Sequence, residues 1–238
     1  MIECINLTKS YTGKDKALDN LNLTVKDGEI FGFLGPNGAG KTTTINIITG
    51  ILNADEGQVL IDGYDIEKQA IEAKKSFGFV PDSPDLFLNL KGIEYLNFLA
   101  DLYEVENREA RIEELTNMFG LANDLKSRIS SYSHGMRQKI VICGALLHQP
   151  KNWILDEPMT GLDPKSAFEL KEMMRAHADS GKTVFFSTHV LDVAEKVCDR
   201  VGIIAKGKLL FVGTLDEMRE HFQANKSLED LFLEITNA

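Results

Sequence analysis

The sequence predicts an α/β fold with a largely parallel sheet, an antiparallel β-subdomain near the N-terminus and a helical subdomain inserted in the middle. Three observations carry this expectation. Short β-rich runs separated by turn residues occupy the first part of the chain. A strand, a glycine-rich loop and a short helix follow one another across residues 30–50. After Val141, apolar strands alternate with helical patterns.

Taken in order, the first strands are Ile2–Leu7, Leu21–Val25 and Ile30–Leu34, punctuated by Thr12-Gly13 and by Lys26-Asp27-Gly28-Glu29. The segment Lys41–Thr49 is rich in Thr and Ile, which are modest helix formers. It is still expected to be a helix, because the glycine loop before it needs a helix N-terminus and Gly50 suits a C-cap. Strands Gln58–Ile61 and Phe77–Val80 come next. From Leu88 to Leu125 apolar residues recur at three- and four-residue steps (Ile93, Leu96, Leu99, Ala100, Tyr103), and a second helix runs from Glu109 to Phe119. A further helix should start after Ser133 and run to about His148. Then come a strand at Trp153–Leu155, a helix from Pro164, a strand at Val184–Phe186, a helix from about Val190 and a strand at Val201–Ala205. A hairpin turns at Lys206-Gly207-Lys208. The tail from Thr214 carries two short helical patterns, ending with Leu228, Leu231, Phe232 and Ile235.

Composition narrows the function classes. The chain has 238 residues, 43% of them hydrophobic, with a formal net charge of −10. That balance is globular and opposes general electrostatic binding to nucleic acid or anionic lipid, so an anionic ligand must be held by a local site. Cys4, Cys143 and Cys198 are odd in number and lack metal spacing, and read as inert thiols in a reducing compartment. The opening residues lack a basic stretch followed by an apolar one, and no run of 18 apolar residues occurs. Neither a secretory leader nor a membrane span is expected.

Two motifs carry chemistry on their own. Gly35-Pro36-Asn37-Gly38-Ala39-Gly40-Lys41-Thr42 fits G-x-x-x-x-G-K-[ST] between a predicted strand and a predicted helix. Glycines let backbone N–H groups converge on one concavity, and the helix N-terminus adds its positive end. Lys41 is placed to reach β and γ phosphates and the Thr42 hydroxyl to serve Mg²⁺. A chance match in a chain of this length is about one in a hundred, so phosphate binding is the better reading. Trp153–Leu155 is an apolar strand running into Asp156 and Glu157. In a parallel sheet ligands sit beyond the carboxyl ends of the strands, so Asp156 would face the metal and Glu157 the attacking water.

With Tyr132-Ser133-His134-Gly135-Met136-Arg137-Gln138 downstream, the chain resembles the nucleotide-binding domain of ATP-binding cassette (ABC) proteins over Ile2–Gly213. The resemblance implies a P-loop NTPase core of the ABC type, with core and β-subdomain at 1–87 and 149–213. A helical signature subdomain would occupy 88–148 and a helical tail 214–238. It also implies that Gly35, Pro36, Asn37, Gly38, Ala39, Gly40, Lys41, Thr42 and Thr43 hold the phosphates of ATP, with Tyr11 stacked on adenine. Stacking reads little base identity, so GTP stays open. Ser133 and Gly135 would meet the γ-phosphate bound to a second cassette, with Asp163 of Thr160-Gly161-Leu162-Asp163 near the dimer seam. Asp163-Pro164 equally reads as a helix start. His189 resembles the family's switch histidine. Arg137 and Lys139 lie in early turns, where the helix dipole disfavours cations and a docked anion would offset the cost. His148, His177 and His221 read as surface residues.

Three signature positions depart from the family's LSGGQ: Tyr132, His134 and Met136. Where the family has a glutamine the chain has Asp82, which either holds Mg²⁺ through a water or only punctuates a turn. The implied function is MgATP hydrolysis by a homodimer or heterodimer of cassettes, peripheral on the cytoplasmic face of the cell membrane. The dimer would drive transport through separate transmembrane permease subunits, with no nucleic acid involved. The spellings VPDSPDLF and YSHGMRQ look most like stand-alone bacterial cassettes of export systems. A soluble non-transport ATPase and a weakly hydrolysing regulatory cassette remain the alternatives.

Overall fold

The computed structural model describes residues 1–11, 16–83, 86–221 and 232. Its chain order is β1 (Ile2–Ser10), β2 (Lys16–Val25), β3 (Ile30–Leu34), α1 (Lys41–Ile48), β4 (Glu56–Ile61), β5 (Tyr64–Asp65), α2 (Ala70–Lys75) and β6 (Phe77–Val80). Helices α3 (Gly92–Leu102), α4 (Arg108–Met118) and α5 (His134–Leu146) form the insertion. They are followed by β7 (Asn152–Asp156), α6 (Pro164–Asp179), β8 (Thr183–Thr188), α7 (Leu191–Val197), β9 (Arg200–Ala205), β10 (Lys208–Gly213) and α8 (Leu215–His221).

Two sheets result. A six-stranded sheet runs β10-β9-β3-β8-β7-β6, parallel except for β10, and a four-stranded antiparallel sheet runs β2-β1-β4-β5. Strands β3, β7 and β8 are buried along their whole length, which explains their continuous apolar runs. Phe31, Phe33, Ile154 and Phe185 face the antiparallel sheet, while Trp153, Leu155 and Phe186 face the insertion and α6. This alternation along single strands joins the two halves of the core. Gly78 of β6 lets α5 approach: a Cβ there would overlap the backbone oxygen of Ala145.

Most expected elements form, with boundaries within a few residues, and the differences have physical causes. β2 starts at Lys16 rather than Leu21, because its polar first half pairs with β1 through Lys9↔Leu18 and Ser10↔Lys16. Ladder pairing needs no hydrophobic alternation, so composition did not signal it. α2 has one buried residue, Ala73, and β5 has two residues in all, so neither leaves a periodic pattern. Thr44 in α1 and Thr49 at its C-cap donate their hydroxyls to carbonyls one turn back, at 2.8 and 2.9 Å.

The histidine expectation needs correction. His148 stacks on Tyr103 with ring centroids 4.0 Å apart, and burial lowers its pKa. His177 packs edge-on against Trp153, and burial first, then Lys182, lowers its pKa to about 4. Both are half-buried neutral groups rather than surface ones; the His221 side chain lies outside the described residues. Cys4 and Cys143 are buried with their pKa values pushed up to about 12, and Cys198 is half-buried and also raised. Of the two tail patterns, the first is α8. Leu228, Leu231 and Ile235 lie outside the described residues, while Phe232 packs with Leu34, Ala194, Ile203 and Met218. No helix among the described residues is long and apolar enough to cross a membrane.

Candidate nucleotide site

The parallel register sets the site. Asp156 pairs with Ser187, and Leu34 with Thr188, so β3, β7 and β8 end at one edge. The loop after β3, the acids at the end of β7 and the histidine after β8 therefore meet there, as ligands of parallel sheets require.

The glycines of the loop have different reasons. A Cβ on Gly35 would come within 2.5 Å of the Ile204 carbonyl oxygen, and one on Gly40 within 2.7 Å of that of Ala17. Gly38, at φ +78°, has nothing within 4 Å of its Cβ position. The first two glycines let the loop lie against β9 and β2, and the third supplies left-handed backbone beside open space. Lys41 is 7% exposed and folds back under the loop, donating to the oxygens of Gly35 at 2.7 Å and Pro36 at 3.4 Å. Its Nζ is also 3.7 Å from Glu157 Oε1. Tyr11 is 62% exposed, and its hydroxyl lies 3.3 Å from Thr43 Oγ1, so an open ring face stands beside the start of α1.

On the acid side, Ser187 Oγ donates to Asp156 Oδ1 at 2.5 Å and accepts from the Glu157 backbone N–H at 3.1 Å. Glu157 sits at φ +47°, a left-handed backbone costing an L-residue about 1–2 kcal/mol. That turn aims its carboxylate back over the sheet edge, where Oε1 is 3.0 Å from His189 Nδ1. Burial raises the Asp156 pKa, reinforced by the negative charges of Asp82 and Glu157 and opposed by hydrogen bonds from Ser187 and Thr42. Asp82 is exposed, and its charge lies near enough to act on Asp156. A buried carboxylate bonded to a threonine hydroxyl, beside an open glycine cradle, fits Mg²⁺ completed by phosphate oxygens and water.

The structure brings together Gly35–Thr43, Asp82, Asp156, Glu157 and His189. Ser133, Gly135 and Asp163 form a second group. Ser133 caps α5, accepting from the Met136 N–H at 3.3 Å. Asp163 caps α6, accepting from Ser166 N at 3.0 Å and Ser166 Oγ at 2.7 Å, and pairs with Lys139 at 3.1 Å. These partners hold its pKa well below the carboxylate range. The cations of the first turns of α5 thus find partners inside the chain: Lys139 in Asp163, and Arg137 in the Ser130 oxygen at 3.0 Å. Sequence reasoning did not assign Ser187 its bridging role, which becomes visible only through the Asp156↔Ser187 register. It likewise missed the Lys139–Asp163 pair.

Comparison with known proteins places this geometry. The family model described as ABC transporter matches residues 18–160. The bacitracin transport ATP-binding protein BcrA of Bacillus licheniformis is 38% identical over 221 residues, covering 92% of this chain and 72% of the relative. A solved ATP-binding subunit of an ABC transporter superposes with a TM-score of 0.94 at 34% identity, covering 99% of both chains. A dimeric ATP-binding cassette in a post-hydrolysis state bound to ADP and Pi superposes at 0.81 with 28% identity, covering 90% of this chain and 99% of that one. The α/β core, its antiparallel β-sheet and the inserted helices are those of these cassettes. The chain belongs to the ABC transporter ATP-binding family.

Proposed function

We propose that this chain is the ATP-hydrolysing subunit of an export-type ABC transporter and works as a closed pair of cassettes on separate membrane subunits. The observation that supports it most is the convergence of Lys41, Glu157 and His189 beside the open Gly38 cradle, with Asp156 held alongside by Ser187. In this proposal the chain is one ABC ATPase domain: core and β-subdomain at 1–87 and 149–213, helical subdomain at 88–148, tail at 214–238.

In this reading the loop amides and Lys41 bind the ATP phosphates, Lys41 exchanging its bonds to Gly35 and Pro36 for phosphate oxygens. Tyr11 offers its ring to adenine. Thr42 and Asp156 hold Mg²⁺, which when bound supplies charge neutralisation to the phosphates. Glu157 accepts the proton of the attacking water. His189 holds the Glu157 carboxylate and, through its other nitrogen, faces the γ-phosphate. Ser133, Gly135 and Asp163 serve the nucleotide of the second cassette. Asp82 adds a carboxylate beside Asp156 and binds the metal through a water.

The membrane partner has a candidate seat. An apolar groove of about 270 Å³ between α3, α5 and β6 is lined by Ile51, Phe79, Tyr95, Leu99 and Val141. Phe98 and Leu102 are exposed on the helical subdomain, and Phe87 just before it. The groove borders β6, whose end lies two residues before Asp82, so a partner seated there touches the strand that leads to the metal-side acid. Transport is supported by the name of the bacitracin transport relative. Such a seat would place the chain on the cytoplasmic membrane face.

Glu157→Gln should lower steady-state ATP turnover at least about 100-fold while a MgATP-dependent dimer accumulates in sedimentation velocity. Undiminished turnover would overturn the assignment of Glu157. Asp82→Asn, made in the Glu157→Gln background with ATP, should weaken Mn²⁺ binding about ten- to a hundredfold by electron paramagnetic resonance titration; equal affinity would leave Asp82 as a turn residue. Affinity capture of the tagged chain from detergent-solubilised membranes should recover a stoichiometric polytopic membrane protein. Recovery of soluble partners alone would argue for a non-transport ATPase.

A further inference from the structure

The end of β1 outruns the strand beside it. β4 begins at Glu56, and the β1–β4 ladder ends where Glu56 stands opposite Thr8, so Lys9 and Ser10 project past it. Asp55, the residue before β4, fills the gap. Its backbone N–H donates to the Thr8 oxygen at 2.9 Å. Its side chain reaches one step further: Oδ2 accepts the Ser10 N–H at 2.7 Å, and Oδ1 accepts from Lys9 Nζ at 2.7 Å. Lys9 first, then the Ser10 N–H, hold this carboxyl below the ordinary carboxylate range. The carboxylate thus stands in for the backbone carbonyl that β4 does not supply. On its other edge β1 shifts register against β2 three times, the last time between Lys9 and Ser10. Each shift disrupts the ladder locally, so the strand end depends on an anchor from outside it.

Tyr11 follows Ser10 directly. Its ring is exposed, and its hydroxyl meets Thr43 Oγ1 at 3.3 Å. The residue is therefore held at both ends, its main chain through Ser10 and Asp55 and its hydroxyl at the start of α1. We propose that Asp55 is a positioning residue for nucleotide binding, which fixes the end of β1 so that the Tyr11 ring is presented to the base. The inference rests on the reading of Tyr11 as the ring that stacks on adenine. Both Asp55 oxygens are taken by Ser10 and Lys9, so Asp55 acts through the backbone and not by touching the ligand. A ring ordered before the base arrives spares binding the entropy of ordering it. Affinity for a nucleoside triphosphate should depend on Asp55, and affinity for a bare phosphate chain should not. The sign of the effect also separates this role from charge. Removing a carboxylate by itself favours a polyanion, whereas loosening Tyr11 disfavours ATP.

Calorimetric titration with ATP and with inorganic tripolyphosphate, both without metal, tests the proposal. Asp55→Ala should weaken ATP binding about two- to tenfold, the cost of ordering one side chain on binding, and leave tripolyphosphate affinity unchanged. Asp55→Asn keeps an oxygen for the Ser10 N–H and should bind ATP as wild type does. In a Tyr11→Ala background, Asp55→Ala should cost nothing more, because the two act as one unit. Unweakened ATP binding by Asp55→Ala, equal weakening of ATP and tripolyphosphate, an Asp55→Asn loss as large as that of Asp55→Ala, or a loss undiminished in the Tyr11→Ala background would each overturn it. Tighter binding of both ligands by Asp55→Ala and Asp55→Asn would mark a charge effect and overturn it as well. Tyr11→Ala separates the two levels. If that variant binds ATP as wild type does, the stacking reading falls and the role of Asp55 with it. If it weakens ATP binding and Asp55→Ala does not, the role of Asp55 alone falls.

Discussion

The alignment of three strand ends is the constraint on which the site depends. β3, β7 and β8 are buried strands with no polar face to fix them, and their register is held by parallel pairing and interlocked aromatic side chains such as Phe31, Phe33 and Phe185. A slip of one residue would turn Asp156 into the core and carry Ser187 away from it. The Ser187 hydroxyl ties the two strands at the point where chemistry begins, bonding the carboxylate of one acid and the backbone of the next. The left-handed turn at Glu157 is tolerated because that bond, Lys41 and His189 fix it from three sides.

Charge explains how an acidic protein holds a polyanion. With a net charge of −10 the overall field repels ATP. In the proposed reading binding comes from what lies within a few ångströms: Lys41, backbone amides at a helix start, and the divalent cation that Thr42 and Asp156 would hold. Burial makes Asp156 resist ionisation, and Asp82 and Glu157 increase that resistance. In the proposed reading cation and nucleotide should therefore favour each other, and Asp82 would strengthen that dependence.

Much of this was legible in the residues. The phosphate loop, the apolar strand ending in Asp156-Glu157 and the Ser133 cap are local patterns, and each took its expected place. What escaped was set by tertiary register or by packing without periodicity. The role of Ser187 depends on which residue lies opposite Asp156 in the neighbouring strand. The Lys139–Asp163 pair joins positions brought together by the fold, and α2 and β5 are too short to show a pattern. His148 and His177 read as surface residues, because no local pattern signals that Tyr103 and Trp153 cover them. Convergence of the loop, the acids and the histidine needed the sheet order, which the motifs alone do not fix.

The measurement that bears most directly on this account is a paired titration of Ser187→Ala against wild type, with ATP binding followed calorimetrically with and without Mg²⁺ and turnover measured on the same samples. If Ser187 holds the two acids in place, metal-free ATP binding should be unchanged, the Mg²⁺-dependent gain in affinity should shrink, and turnover should fall about ten- to a hundredfold. Unaltered Mg²⁺ dependence together with wild-type turnover would contradict the claim that the strand-end bridge organises the site.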